Sequence, residues 1–277
     1  MSANVLNQYE DIKREEGENG NVDTNEGSAA GIVGIDCSTP LTAQSAQGIA
    51  AAGYRFAARY LVPQQYKWKR LTLAEAQAIT AAGMQIVSVF ETTANRASGG
   101  ASAGQSDGAA AYKEAQAIQQ PAGSAIYFAV DYDAQPKDYD AIEAYLKAAA
   151  AQIPGYEAGV YASYAVVEEM YNRKACKHFW QTYAWSRGKI SSHANLYQYR
   201  NNAKVAGVAV DLNRAYGGEG WWNTNEDEGE SSMTKEDAEK IIRFLSAAWF
   251  AAADPASKEE FNRLANEVRK AAGIPVV

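Results

Sequence analysis

The chain has 277 residues, 47% hydrophobic and 21% charged, which allows one large domain with appendages. No apolar stretch approaches the roughly 20 residues of a membrane span, and no basic stripe argues for nucleic acid, so neither partner is expected. The net charge of −7 is confined: residues 1–30 hold seven acids against two bases, residues 219–230 hold five acids and no base, and the remainder is positive by three.

Residues 1–30 are polar, acidic and poor in large apolar side chains, the composition of a disordered arm. They lack the basic start and apolar core of a secretory signal, so synthesis in the cytoplasm is expected. From residue 31 the pattern becomes strand, turn and alanine-rich helix, repeated. Strands are predicted at 31–37, 54–61, 84–91, 125–133, 157–163, 178–185, 195–200 and 206–212, with helices at 41–52, 72–82, 103–119, 137–151 and 164–174. Gly53 and Gly83 stand where helix C-caps belong. Alternating strands and helices point to an α/β fold with a parallel sheet, and eight strands suggest a TIM-like (β/α) barrel over 31–216. The last gaps are too short for crossover helices, so the barrel is expected to be irregular, with an antiparallel neighbour near its closure.

An acidic linker is expected at 217–232, followed by a helical hairpin at 233–274. Thr234 with Asp237, and Ser257 with Glu260, read as capping boxes ahead of two apolar stripes, and Gly273 and Pro275 end the second helix. So short a hairpin cannot form a sizeable core alone, and it must dock on the barrel, on its own copy, or on a wall or partner surface.

Acids end the predicted strands. Asp131 and Asp133 close Ser-Ala-Ile-Tyr-Phe-Ala-Val-Asp-Tyr-Asp, where strand alternation sends both carboxylates from one face together with Ala125, Tyr127 and Ala129. Two like charges are costly to bury side by side unless a site uses them. Asp36, Glu91 and Asp211 end three other predicted strands, and acids converging on one rim suit a barrel hydrolase. Paired carboxylates also suit hard cations, but no ligand cluster accompanies them at metal spacing, and neither a metal nor another cofactor is expected. The glycine-rich loop 95–108 lacks the spacing of a phosphate-binding fingerprint and reads as a flexible rim segment. Cys37 and Cys176 make no disulfide framework, and Cys37 should point away from Asp36 into packing. Among 17 tyrosines and six tryptophans, those near strand C-termini, Tyr161 and Trp185 foremost, are candidates for stacking on sugar faces.

Gly34-Ile35-Asp36, Tyr-Phe-Ala-Val-Asp-Tyr-Asp (127–133), Gly-Val-Tyr-Ala-Ser (159–163), Leu-Tyr-Gln-Tyr (196–199) and Val-Asp-Leu-Asn (210–213) follow in order. The run resembles the family-25 glycoside hydrolases, lysozymes that cut peptidoglycan, and within that group a glycoside-hydrolase-like branch. The resemblance implies a muramidase or endolysin of bacterial or phage origin, acting at the cell wall on peptidoglycan or a related glycan. Beside the stacking candidates Tyr161 and Trp185, it places Asp211, Tyr197 and Gln198 in substrate binding. It matches Asp36, Asp131 and Asp211 to the acids lining the sugar cleft, and sets Asp133 where those lysozymes carry their proton-donating Glu. Asp133 is shorter by one methylene, roughly 1.5 Å of reach. On this reading Asp133, crowded by Asp131, is the acid and Glu91 its understudy. Asp131 or Asp36 stabilises the transition state, activates water or orients a substrate acetamido group. A non-catalytic glycan-binding barrel and a structural wall- or phage-associated protein are the alternatives.

Overall fold

The computed structural model describes residues 31–225 and 235–276; the predicted arm and residues 226–232 of the predicted linker lie outside them. Eight strands close a barrel in sequence order. They are β1 (Ile32–Asp36), β2 (Phe56–Tyr60), β3 (Gln85–Phe90), β4 (Ala125–Ala129), β5 (Glu157–Ala162), β6 (His178–Thr182), β7 (Leu196–Val205) and β8 (Val208–Ala215). Helices α1 (Ala43–Ala51), α2 (Leu73–Ala81), α3 (Gly100–Ala117), α4 (Tyr139–Ala150) and α5 (Tyr164–Asn172) connect the first six strands. Strands β1 to β7 run parallel, whereas β8 is antiparallel to both β7 and β1. The expected irregular closure is therefore present. A tight turn with positive φ at Ala206 and Gly207 joins β7 to β8, the geometry two-residue hairpins favour.

Alternation along the strands separates two apolar layers. Ala125, Tyr127 and Ala129 of β4 join Phe56, Val87, Val89, Trp180 and Leu196 inside the barrel, while Ile126, Phe128 and Val130 pack outward with the helices. Cys37 is buried in that outer layer, and both cysteines are free thiols.

Residues 217–225, expected to begin a solvated linker, instead close the N-terminal mouth of the barrel. Trp222 pairs with Ile86 through two backbone bonds of 2.7 and 2.9 Å, and its indole donates to Ser88 Oγ at 2.9 Å. Tyr127 OH reaches the Glu219 carbonyl at 2.8 Å, and His178 Nδ1 bonds the Gly218 carbonyl at 2.7 Å. Acidity marked this segment as linker, but its two tryptophans bury apolar area and outweigh the single charge of Glu219.

The glycine-rich stretch expected as a flexible rim is ordered. Residues 96–99 form a 3-10 turn that runs into α3, and Arg96 clasps Asp107 through three bonds of 2.9–3.0 Å. Gly104 and Gly108 serve close packing, because a Cβ at either position would strike the α4 backbone, at Tyr145 and Ala149. Gly104→Ala should therefore lower stability by about 1–2 kcal/mol in urea unfolding. The clash is with backbone, so its overpacking cost falls in the upper part of the usual range, about 2–3 kcal/mol, and exceeds the helix-propensity gain of about 1 kcal/mol.

The hairpin comprises α6 (Lys235–Ala251) and α7 (Pro255–Ala271). Thr234 of the first expected capping box lies outside the described residues. Asp254, and not Ser257, caps α7: its side chain accepts from Ser257 N at 2.8 Å, and Pro255 follows at the first turn. Proline's fixed φ suits that position and starts the helix earlier than the Ser257–Glu260 spacing suggested. Gly273, at φ 63°, ends it as expected. No helix among the described residues is long and apolar enough to cross a membrane.

Candidate active site

The parallel strands β1 to β7 deliver their last residues to one rim. Asp36 ends β1, Tyr60 ends β2, Thr182 ends β6, and Glu91 and Asp131 lie just beyond β3 and β4. Asp211 reaches the rim differently from the expected strand terminus. It lies in the middle of β8, but β8 runs antiparallel and its register sets Asp211 beside Asp36. Four of the five predicted acids thus gather at the C-terminal mouth.

Asp36 is the most constrained of them. Its Oδ2 accepts from Asn213 Nδ2 at 2.7 Å and Gln198 Nε2 at 2.9 Å. Gln198 also reaches Asp211 Oδ2 at 3.3 Å, and its Oε1 accepts from Tyr161 OH at 2.8 Å and Thr182 Oγ1 at 2.9 Å. Trp180 Nε1 donates to Asn213 Oδ1 at 2.9 Å, and Asn202 N to Asp211 Oδ1 at 2.8 Å. The network fixes the amides so that N–H groups face the carboxylate. Both bonds to Asp36 fall on Oδ2, which leaves Oδ1 for a proton.

Burial then raises two of the acids. Burial, reinforced by the charge of Asp211, raises the Asp36 carboxyl from 3.8 to about 7 against the lowering effect of its two amide bonds. Burial and the charge of Glu91 raise Asp131 to about 6, with Lys69 opposing. Lys69 Nζ lies 3.2 Å from Glu91 Oε2 and 4.3 Å from the centre of the Tyr60 ring. Glu91 thereby has a cationic partner and acts as a charge on Asp131.

Asp133 departs from the expected pairing. Strand β4 ends at Ala129, so alternation no longer applies two residues past Asp131, and Asp133 is exposed in the connecting loop. The charges that raise Asp131 belong to Glu91 and Asp211, and Asp133 is not among them. Of the predicted binding residues, Tyr161 and Gln198 enter the network directly. Tyr197 leaves β7 on the face opposite Gln198, because neighbours on a strand alternate. Trp185 lies in the loop after β6, partly exposed and at φ 57°.

Asn213, Thr182, Tyr60 and Lys69 were not singled out as site residues in the sequence. Asn213 carried a signal, since it stands two residues from Asp211 and must share its face. Lys69 carried none, for it enters from a loop. Among the described residues, no group of three or more His, Cys, Asp or Glu is placed to hold a metal ion.

Comparison with known proteins adds the family. A family model described as Rv2525c-like, glycoside hydrolase-like domain matches residues 47–227. The Tat-secreted protein Rv2525c of Mycobacterium tuberculosis, solved in complex with L-tartrate, is 28% identical with a TM-score of 0.63, covering 70% of this chain and 100% of that chain. The modular autolysin LytC of Streptococcus pneumoniae, solved with a synthetic peptidoglycan ligand, has a TM-score of 0.51 at 12% identity, covering 69% of this chain and 48% of that one. That likeness is one of fold. The uncharacterized protein FadG of Bacillus subtilis (strain 168) is 32% identical over 114 residues, 38% of this chain, and the match spans only 19% of FadG.

Proposed function

We propose, for a chain that belongs to the family of Rv2525c-like, glycoside hydrolase-like domains, that it hydrolyses the β-1,4 bonds of peptidoglycan between N-acetylmuramic acid and N-acetylglucosamine. One observation carries the reading. Asp36 and Asp131 share a rim and burial raises both, to about 7 and about 6, so near neutrality the two carboxyls hold a proton between them. We assign it to Asp36, whose Oδ1 is left clear by the two amide donors on Oδ2. Glycoside hydrolysis needs that division of labour between two carboxyl groups. Asp36 protonates the departing glycosidic oxygen from Oδ1, and the Asp131 carboxylate stabilises the oxocarbenium-like charge. Water then supplies the hydroxyl to the sugar and returns a proton to Asp36. Asp211, Tyr161, Gln198 and Trp185 hold the glycan. Asp133, on its exposed loop, takes no part in proton transfer, and Glu91 acts through its charge on Asp131.

The fold shared with LytC, a protein solved with a peptidoglycan ligand, supports the choice of substrate. Secretion of Rv2525c through the Tat route supports action at the wall. The exposure of Asp133, where the lysozymes carry their proton donor, favours a second reading, a barrel that binds glycan without cutting it. Incubation with purified peptidoglycan decides between them. New reducing ends and released muropeptides are expected, and binding without release would establish the second reading.

A further inference from the structure

An exposed tryptophan stands on the same rim, outside the network just described. Trp68 lies in the loop that leaves β2 and is 60% exposed, an unfavourable place for so large an apolar surface. Yet the loop presenting it is firmly tied. Leu71 N bonds the Tyr60 carbonyl at 2.8 Å, and Lys69 N bonds the Tyr66 carbonyl at 2.9 Å. Arg70 pairs with Glu114 at 2.6 Å. Beneath the loop, the fully buried Arg59 is paired with Glu75 at 2.6 Å. Its guanidinium also donates to the Lys69 carbonyl at 3.1 Å and to the carbonyl of Cys37, the residue after Asp36. One buried cation therefore braces both the backbone next to Asp36 and the backbone next to Trp68.

The side chain of Lys69 links the same two places. Its Nζ lies 5.4 Å from the centre of the Trp68 ring and 3.2 Å from Glu91. The indole and the carboxylates thus border a common cation. Across the closed ring of eight strands β2 lies opposite β6, whose following loop carries Trp185. That second tryptophan holds a left-handed backbone, costly for a residue with a Cβ, and the buried Ser186 ties its loop down by donating to the Thr182 carbonyl at 2.6 Å.

We infer that Trp68 is a sugar-stacking platform at the β2 side of the mouth, so that a glycan strand lies across the barrel between Trp68 and Trp185 with the carboxylates between them. Indole faces stack on the apolar faces of pyranose rings, and a braced loop loses little freedom on binding. The inference deepens the proposed function and rests on it, since it requires the mouth to receive a glycan.

Calorimetric titration of the full chain with a soluble tetrasaccharide of alternating N-acetylglucosamine and N-acetylmuramic acid tests it. Trp68→Ala should weaken binding about tenfold, equivalent to about 1.4 kcal/mol, within reach of one lost aromatic contact and its buried area. Trp68→Phe should regain most of the affinity, which a defect of loop structure would not allow. Thermal midpoints of both variants should match the parent, because the ring is exposed. Equal affinity of parent and Trp68→Ala would overturn the platform while leaving the hydrolase reading intact. Failure of the parent to bind the tetrasaccharide would overturn the glycan reading and the platform together.

Discussion

Asp131→Asn should lower turnover on peptidoglycan by about 10²–10³-fold, the range expected when one group that stabilises charge developing in the transition state is removed. The pH dependence makes the expectation specific. With Asp131 required ionised and Asp36 required protonated, kcat/KM should rise through about pH 6 and fall through about pH 7. In Asp131→Asn the residual activity should lose the acidic limb, because the titrating group is gone. The alkaline limb should move to lower pH, because the charge of Asp131 helps to raise Asp36. Asp133→Asn should leave the profile unchanged, since Asp133 is exposed and does not appear among the charges acting on either acid. If Asp133→Asn abolishes release and Asp131→Asn does not, the acid belongs in the exposed loop, and the assignment made from the rim geometry fails.

That contrast shows where sequence reasoning reaches and where it stops. Period-two alternation correctly sorts Tyr127 and Phe128 to opposite faces of β4, because both lie inside the strand and have no other conformation open to them. Carried two residues past Ala129 the same rule misplaces Asp133, because nothing local marks where ladder bonding ends. Short gaps after β6 disclose an antiparallel neighbour, yet not that β8 alone would reverse, and so not that a mid-strand Asp211 would stand level with Asp36. Asp36 and Asp131 were legible as candidates from their strand positions, and Gln198 from the family resemblance. The raised pKa values of the two acids were not, because they arise from burial in the closed rim and from Asp211 and Glu91 meeting them there from other strands. The tryptophans at 221–222 were hidden by their acidic surroundings. Charge density reported the composition of that segment, while the bonds from Tyr127, His178 and Ser88 that decide its place come from distant strands.

Asp36→Asn should separate function from stability in one variant. The folded protein keeps the Asp36 carboxyl protonated up to about pH 7, whereas its ordinary value is 3.8. Between these values the folded state binds a proton that the unfolded chain has released, so the contribution of this group is fully present below about pH 4 and declines as pH rises. Above pH 7 the folded protein must hold a buried carboxylate beside Asp211. The amide of Asn cannot ionise, and its carbonyl oxygen can still accept from Gln198 and Asn213. The variant should therefore unfold at a higher temperature than the parent at pH 8, by an amount reflecting a few kcal/mol, on the order expected for so large a displacement in protonation. At pH 4 the two midpoints should converge, because the parent is then protonated as well. Release of muropeptides should be lost between about pH 6 and 7, where the parent is active, since the amide has no proton to deliver. A variant less stable than the parent at pH 8 would mean that the ionised carboxylate is held favourably by its two amide donors. Asp36 would then be the charged partner of the pair, and the proton donor would have to be sought at Asp131.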